Sequence, residues 1–173
     1  PLENKPILIM AGGTGGHIYP ALAVANCLRI RGIPLLWLGT KTGLEAKIVP
    51  ENGYQLLTIN ISGLRGKGIV RWLTAPLSIL MAVAQSILIL SKQKPAAVLG
   101  MGGFTSLPPV LAGKKLGLMT YVHDSNALPG KAKRTTARWC RKVLLGMEAA
   151  SSYFADAEVV VTGTPVRHEL TSL

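Results

Sequence analysis

The feature that most constrains this chain is a rhythm: apolar runs of strand length alternate with stretches of helical length from one end to the other. The runs are Ile7 to Met10, Leu35 to Leu38, Leu56 to Ile61, Ala97 to Leu99, Met119 to Val122, Val143 to Leu145 and Val159 to Val161. Helices are expected between them over Pro20 to Arg31, Leu44 to Val49, Ile69 to Lys92, Ser106 to Leu116 and Gly130 to Arg141, most of them flanked by Gly or Pro. This order predicts an α/β fold with a Rossmann-like, doubly wound parallel sheet. At 173 residues with 49% hydrophobic content, the chain can bury one such core as a single domain. In sheets of this kind ligands lie beyond the carboxyl ends of the strands, where loops enter helices. The residues that follow each strand are therefore the ones to read for chemistry.

After the first run comes Gly12-Gly13-Thr14-Gly15-Gly16-His17, with Pro20 marking the expected helix start. Closely spaced glycines allow a tight turn with exposed N–H groups, and a helix N-terminus adds the positive end of its dipole, a combination suited to a diphosphate. No Lys-Ser/Thr pair closes the loop, so it is not a P-loop. The second run ends in Trp37-Leu38-Gly39-Thr40 without the acid that a dinucleotide fold uses on ribose, which argues against a nicotinamide or flavin oxidoreductase. A second glycine loop, Gly100-Met101-Gly102-Gly103-Phe104, follows the fourth run and leads to another helix. Two such loops on one sheet edge are able to form one anion site, although either alone is also compatible with an ordinary strand-to-helix turn.

Charge enters at this point. Lys and Arg number 19 against 8 Asp and Glu, a formal net charge of +11, which favours anionic partners without choosing among nucleic acid, phosphorylated substrate and anionic lipid. A nucleic-acid binder would explain the charge but not the glycine loops, and few aromatics are present to stack on bases, so no nucleic acid is expected. No metal site is expected either: Asp156 and Glu158 precede their strand and read as a solvated turn. Cys27 and Cys140 match no metal or redox spacing and read as free thiols of a reducing compartment. From Trp72 to Leu90 the chain is uncharged, flanked by Arg71 and Lys92, so a transmembrane span has to be weighed. Pro76, Ser78, Gln85 and Ser86 interrupt it, and Leu73, Leu77, Leu80, Ala84 and Leu88 form a stripe expected to pack on the sheet. A second stripe of Trp72, Ile79, Val83 and Leu90 is then left for the surface. With Arg65, Lys67 and Arg71 beside it, and Lys131, Lys133, Arg134 and Arg138 as a basic rim, it predicts a face laid against anionic lipid, with core packing as the structural alternative.

The combination of Gly12 to His17 with Pro20, Ile61-Ser62-Gly63-Leu64-Arg65-Gly66-Lys67-Gly68, Leu99 to Gly103, and Thr164-Pro165-Val166-Arg167 resembles the MurG family of glycosyltransferases. The resemblance runs in order through essentially the whole chain, but covers only the first half of a full-length member. It implies an inverting enzyme of GT-B fold that moves N-acetylglucosamine from UDP-N-acetylglucosamine to undecaprenyl-diphosphate-muramoyl-pentapeptide in peptidoglycan synthesis. That enzyme is peripheral to the cytoplasmic face of the bacterial plasma membrane, and no cofactor is implied. Residues 1–173 would be its acceptor-binding, membrane-associating N-terminal half, and the chain's opening at Pro1 without Met agrees with a fragment. The alternative is a noncatalytic anchoring or acceptor-presenting subunit of a two-chain enzyme.

On that resemblance His17 is the general base, with local helix capping as its structural alternative. Thr14, Gly15, Gly16, Asn126 and Arg167 would contact the donor, and Gly12, Gly13, Gly102 and Gly103 the acceptor diphosphate. His123 and Asp124 would contact the acceptor or support His17. Lys67, Arg71, Trp72 and Ile79 would face the membrane. The family's His-Glu-Gln-Asn run reads His123-Asp124-Ser125-Asn126 here, with a shortened acid, and Phe104 stands where some members have tyrosine.

Overall fold

The computed structural model describes residues 4–13, 15–61, 69–101, 104–125, 134, 136–154 and 157–166, with the side chains of 70–72 and 104 left aside. Seven strands among them form one all-parallel sheet in the order β3-β2-β1-β4-β5-β6-β7. They are β1 (Ile7–Met10), β2 (Leu35–Gly39), β3 (Leu56–Thr58), β4 (Ala97–Gly100), β5 (Met119–Asp124), β6 (Lys142–Leu145) and β7 (Val159–Val161). The helices are α1 (Gly15–Ile30), α2 (Glu45–Glu51), α3 (Ile69–Gln93) and α4 (Leu107–Lys115), and short 3-10 turns cover Phe104–Ser106 and Glu148–Phe154. The chain grows outward from β1 to β3, then returns to place β4 against the other side of β1, with Met10 paired to Gly100 and to Leu38. The order therefore reverses between β1 and β4, and the two glycine loops leave the sheet side by side.

Both faces of the central strands are buried, which is why these strands read as continuous apolar runs. Leu8, Met10, Leu36, Leu38 and Val98 pack on one face with Ile59, Ile61, Ala82, Leu90 and Ala112. Ile9, Trp37 and Met101 pack on the other with Ile18, Ala21, Leu22, Ala25, Val49 and Tyr54. A smaller cluster of Ala137, Val143, Leu145, Ala150 and Phe154 closes the β6–β7 end. Of the two thiols, Cys27 is exposed. Burial pushes the Cys140 thiol up to about 12, against an opposing pull from Lys114, and its Sγ donates to the Thr136 carbonyl at 3.5 Å.

Several boundaries differ from the sequence reading for identifiable reasons. Helix α1 begins at Gly15, so Pro20 lies inside it, one turn in, where its missing N–H leaves the Gly16 carbonyl without that acceptor role. The third strand stops at Thr58, yet Ile59 and Ile61 continue into the core as irregular chain. Strand β5 runs two residues further than the apolar run, carrying His123 and Asp124 into register with Leu144 and Leu145.

The largest correction concerns α3. The stripe expected to pack on the sheet is the one that faces out: Leu73 is 75% exposed and Leu88 72%, and Leu77, Leu80 and Met81 are exposed as well. The face that packs inward is Ala82, Ser86 and Leu90, with Leu90 only 1% exposed and Ile87 and Ile89 lying against the same cluster. Ser86 is accommodated there because its hydroxyl donates to the Ala82 carbonyl one turn back, at 2.8 Å. The stripe assigned to the surface thus splits, with Leu90 in the core and Ile79 and Val83 half-buried. Pro76 does not break the helix. By length and composition Leu73–Gln93 is long and apolar enough to cross a membrane. Its inward face, at Ala82, Ser86 and Leu90, is packed in the core of the described fold.

Candidate functional site

The site is built at the carboxyl edge of β1, β2 and β4. Ala11 is buried, and its carbonyl accepts the indole N–H of Trp37 on β2 at 3.0 Å, which fixes where the first glycine loop departs. The N–H of Met101 donates to the Met10 carbonyl at 2.8 Å, so the second loop leaves at the same level. Gly13 has φ of 90°, a left-handed conformation that side chains rarely adopt. Its Gly12 neighbour is buried, and a Cβ there would lie 2.6 Å from Glu45 Oε1. Both glycines are therefore required by the loop geometry itself.

Glu45 was not singled out by the sequence reading, which looked for an acid at the end of β2 and found none. It opens α2 and is fully buried. Its Oε1 accepts the Thr40 N–H at 2.8 Å and the Thr40 hydroxyl at 2.7 Å, and its Oε2 accepts the Gly13 N–H at 3.2 Å. Thr40 Oγ1 in turn accepts the Gly43 N–H at 3.1 Å. One carboxylate thus ties the loop after β1 to the turn after β2. The signal in the sequence was the spacing Gly39-Thr40 to Gly43-Leu44-Glu45, in which small residues leave room for an inward-turned acid at a helix start.

Gly15, Gly16 and His17 form the first turn of α1, whose N–H groups have no acceptor within the helix and carry the positive end of its dipole. Gly16 is exposed and His17 half-buried in this turn. The structure therefore brings Gly12, Gly13, Gly15, Gly16 and His17 together, as the sequence order requires, but Gly13 gives its N–H to Glu45. His123 and Asp124 lie within β5 rather than beyond it, separated from β1 by β4. His123 Nε2 lies 3.0 Å from the Gly163 carbonyl and links β5 to the loop after β7. Asp124 is fully buried, and its carbonyl accepts the Gly146 N–H at 2.7 Å. Thr14, Lys67, Gly102, Gly103, Asn126 and Arg167 lie outside the described residues, as do the side chains of Arg71 and Trp72. Glu158 forms an ion pair with Lys142 at 3.1 Å on the exposed flank of the sheet, and Asp156 lies outside the described residues.

A parallel sheet with a glycine loop at its switch point and a histidine in the adjoining helix turn can hold an anion beside a proton acceptor. Residues 7–145 match the model of the glycosyltransferase family 28 N-terminal domain. The chain is 45% identical over 169 residues to a UDP-N-acetylglucosamine--N-acetylmuramyl-(pentapeptide) pyrophosphoryl-undecaprenol N-acetylglucosamine transferase of Xanthomonas campestris pv. campestris (strain B100), spanning 98% of this chain and 38% of that protein. It is 44% identical to the transferase of the same name from Shewanella pealeana, over 99% of this chain and 46% of that protein. It thus spans less than half the length of the curated relatives it matches. Among solved structures, Acinetobacter baumannii MurG superposes with a TM-score of 0.81 at 35% identity, over 94% of this chain and 46% of that one. A UDP-GlcNAc 2-epimerase of Methanocaldococcus jannaschii, at 16% identity and a TM-score of 0.69, shares the fold alone. The chain belongs to glycosyltransferase family 28, and what it carries is the N-terminal domain of that family.

Proposed function

We propose that residues 1–173 are the acceptor-binding, membrane-facing half of an inverting N-acetylglucosaminyltransferase of peptidoglycan synthesis, working at the cytoplasmic face of the bacterial plasma membrane. The observation that carries this reading is the placement of His17 in the first turn of α1, directly after a glycine loop at the β1/β4 switch point, in a chain of this family. The donor is UDP-N-acetylglucosamine, gripped chiefly by a second domain. The acceptor is the undecaprenyl-diphosphate-linked muramoyl-pentapeptide named in its relatives. The first turn of α1 receives a diphosphate with its N–H groups and dipole. His17 takes the proton of the muramoyl 4-hydroxyl as that oxygen bonds to C1 of the sugar, and the C1–O bond to UDP breaks with inversion. UDP leaves with the bonding pair, and basic side chains and helix dipoles stabilise its charge.

Membrane attachment is supported by the outward face of α3, where Leu73, Leu77, Leu80, Met81 and Leu88 form a continuous apolar strip on a strongly basic chain. Arg134 and Arg138 are exposed and supply part of the basic character.

The test is division and recombination. In calorimetry the chain alone is expected to bind UDP-N-acetylglucosamine weakly or not at all, and to transfer no sugar. Joined to the C-terminal half of the Xanthomonas relative, it is expected to transfer N-acetylglucosamine to a lipid-linked muramoyl-pentapeptide. Transfer by residues 1–173 alone would overturn the division of labour, and a folded fusion that binds UDP-N-acetylglucosamine without transferring it would overturn the acceptor role.

A further inference from the structure

Glu45 has no part in the chemistry just described, yet it is a fully buried acid tied to the glycine loop, and it takes three hydrogen bonds as acceptor. A glycine loop at a strand-to-helix turn ordinarily offers its N–H groups to a ligand anion. Here the N–H of Gly13 is already given to Glu45 Oε2 at 3.2 Å, and the buried backbone of Gly12 lies so close to the same carboxylate that a Cβ would meet Oε1 at 2.6 Å. The Gly12–Gly13 end of the loop is occupied by the chain's own carboxylate.

We propose that Glu45 is a positioning residue for the diphosphate. By occupying the Gly12–Gly13 end of the loop it confines an incoming diphosphate to the helix end, at Gly15 and Gly16, against His17. The inference rests on the preceding reading that this loop receives a diphosphate, and it adds where along the loop the anion sits. Two effects act in the same direction. The donor that would draw a phosphate inward is spent, and a second anion placed against the buried carboxylate would meet a like charge in surroundings that screen it poorly. The tie from Thr40 to Gly13 also prevents the loop from rotating that N–H outward.

A carboxylate that served only to staple the loop would make a different prediction from one that excludes anions, because the two respond with opposite sign to loss of charge. E45Q keeps the shape and one acceptor oxygen for Thr40 but removes the charge. By calorimetry on the chain, E45Q is expected to bind inorganic pyrophosphate about tenfold more tightly than the unaltered protein, the scale of one nearby like charge removed. Weaker or unchanged binding overturns the proposal. T40V, which retains the carboxylate, is expected to leave pyrophosphate affinity within about twofold, because the like charge beside the loop is unchanged. A tightening in T40V equal to that in E45Q overturns the charge argument. A measurement on the unaltered chain guards against a variant that fails to fold. In an NMR titration with pyrophosphate, the amides of Gly15 and Gly16 are expected to shift more than that of Gly13, and the reverse order overturns the proposal. The two readings fail separately: a pyrophosphate pattern as expected in a fusion that does not transfer sugar sinks the enzymatic reading alone, whereas transfer with E45Q no tighter for pyrophosphate sinks this one alone.

Discussion

The loop between β1 and α1 and the outward face of α3 are the two regions to which function is assigned, and they are held in opposite ways. The loop is short, polar and fixed on several sides, by the Trp37 indole on Ala11, by Glu45 on Gly13 and by the pairing of Met10 with Gly100. The α3 face is long and apolar, and nothing in the described fold lies over Leu73, Leu77 or Leu88. Its position is set from behind, by Ala82, Ser86 and Leu90 with Ile87 and Ile89 against the same cluster, and by Gln85, whose Oε1 accepts the Asn60 N–H at 2.8 Å. A site for a small charged group needs a few polar atoms fixed in place, whereas a surface for lipid needs only continuous apolar area on a rigid support.

The largest expected effect concerns the support of α3. Leu90→Ala should destabilise the chain by about 2–5 kcal/mol in urea unfolding, the range for a leucine removed from a packed core. Leu88→Ala, two residues away on the outer face, should change stability by no more than about 0.5 kcal/mol. Equal costs at the two positions would restore the stripe assignment read from the sequence and dissolve the contrast.

Next in size is His17. In the two-half enzyme His17→Ala should lower turnover about a hundredfold or more, some 2.7 kcal/mol of transition-state stabilisation, while the acceptor KM changes little. Unchanged turnover would leave His17 a helix-turn residue and remove the chemical half of the comparison. A rise in acceptor KM with turnover intact would move it from proton acceptor to binding contact.

How legible these regions were in the sequence follows from the same contrast. The sheet was readable because strands buried on both faces must be continuously apolar, and the loop was readable because Gly12, Gly13, Gly15 and Gly16 have few other uses in such a row. Glu45 was not, because its partner Gly13 is brought to it by the pairing of β1 with β2, and the local spacing from Thr40 to Glu45 does not by itself turn the acid inward. The ends of β5 and α1 were missed for a simpler reason. His123 and Asp124 are polar residues carried into a strand by pairing with β6, and Pro20 is tolerated one turn inside a helix that begins earlier. The α3 stripes were inverted because nearly every position of Leu73 to Leu90 is apolar. Periodicity then cannot choose a face, and the inward face is the one that carries the small residues Ala82 and Ser86 beside Leu90.

The smallest expected effect sharpens the lipid-facing half. Replacing Leu73, Leu77 and Leu80 together by Gln should weaken binding to vesicles containing anionic lipid by about tenfold, since side chains that enter only the headgroup boundary contribute a fraction of a full core burial. The fold should survive, because all three are exposed. Ile79, which the sequence reading placed on the surface, is half-buried, so Ile79→Gln should lower thermal stability rather than vesicle affinity. Binding of the unaltered chain should also fall as salt is raised, because a chain of net charge +11 adds an electrostatic attraction that counter-ions screen. Each half of the attachment can fail on its own. A triple variant that binds as well as the parent removes the apolar strip from the interface, and binding indifferent to salt and to anionic lipid removes the charge. Release from membranes by detergent alone would mean that Leu73 to Leu90 inserts as a span, and that the inward packing of Leu90 is given up when it does.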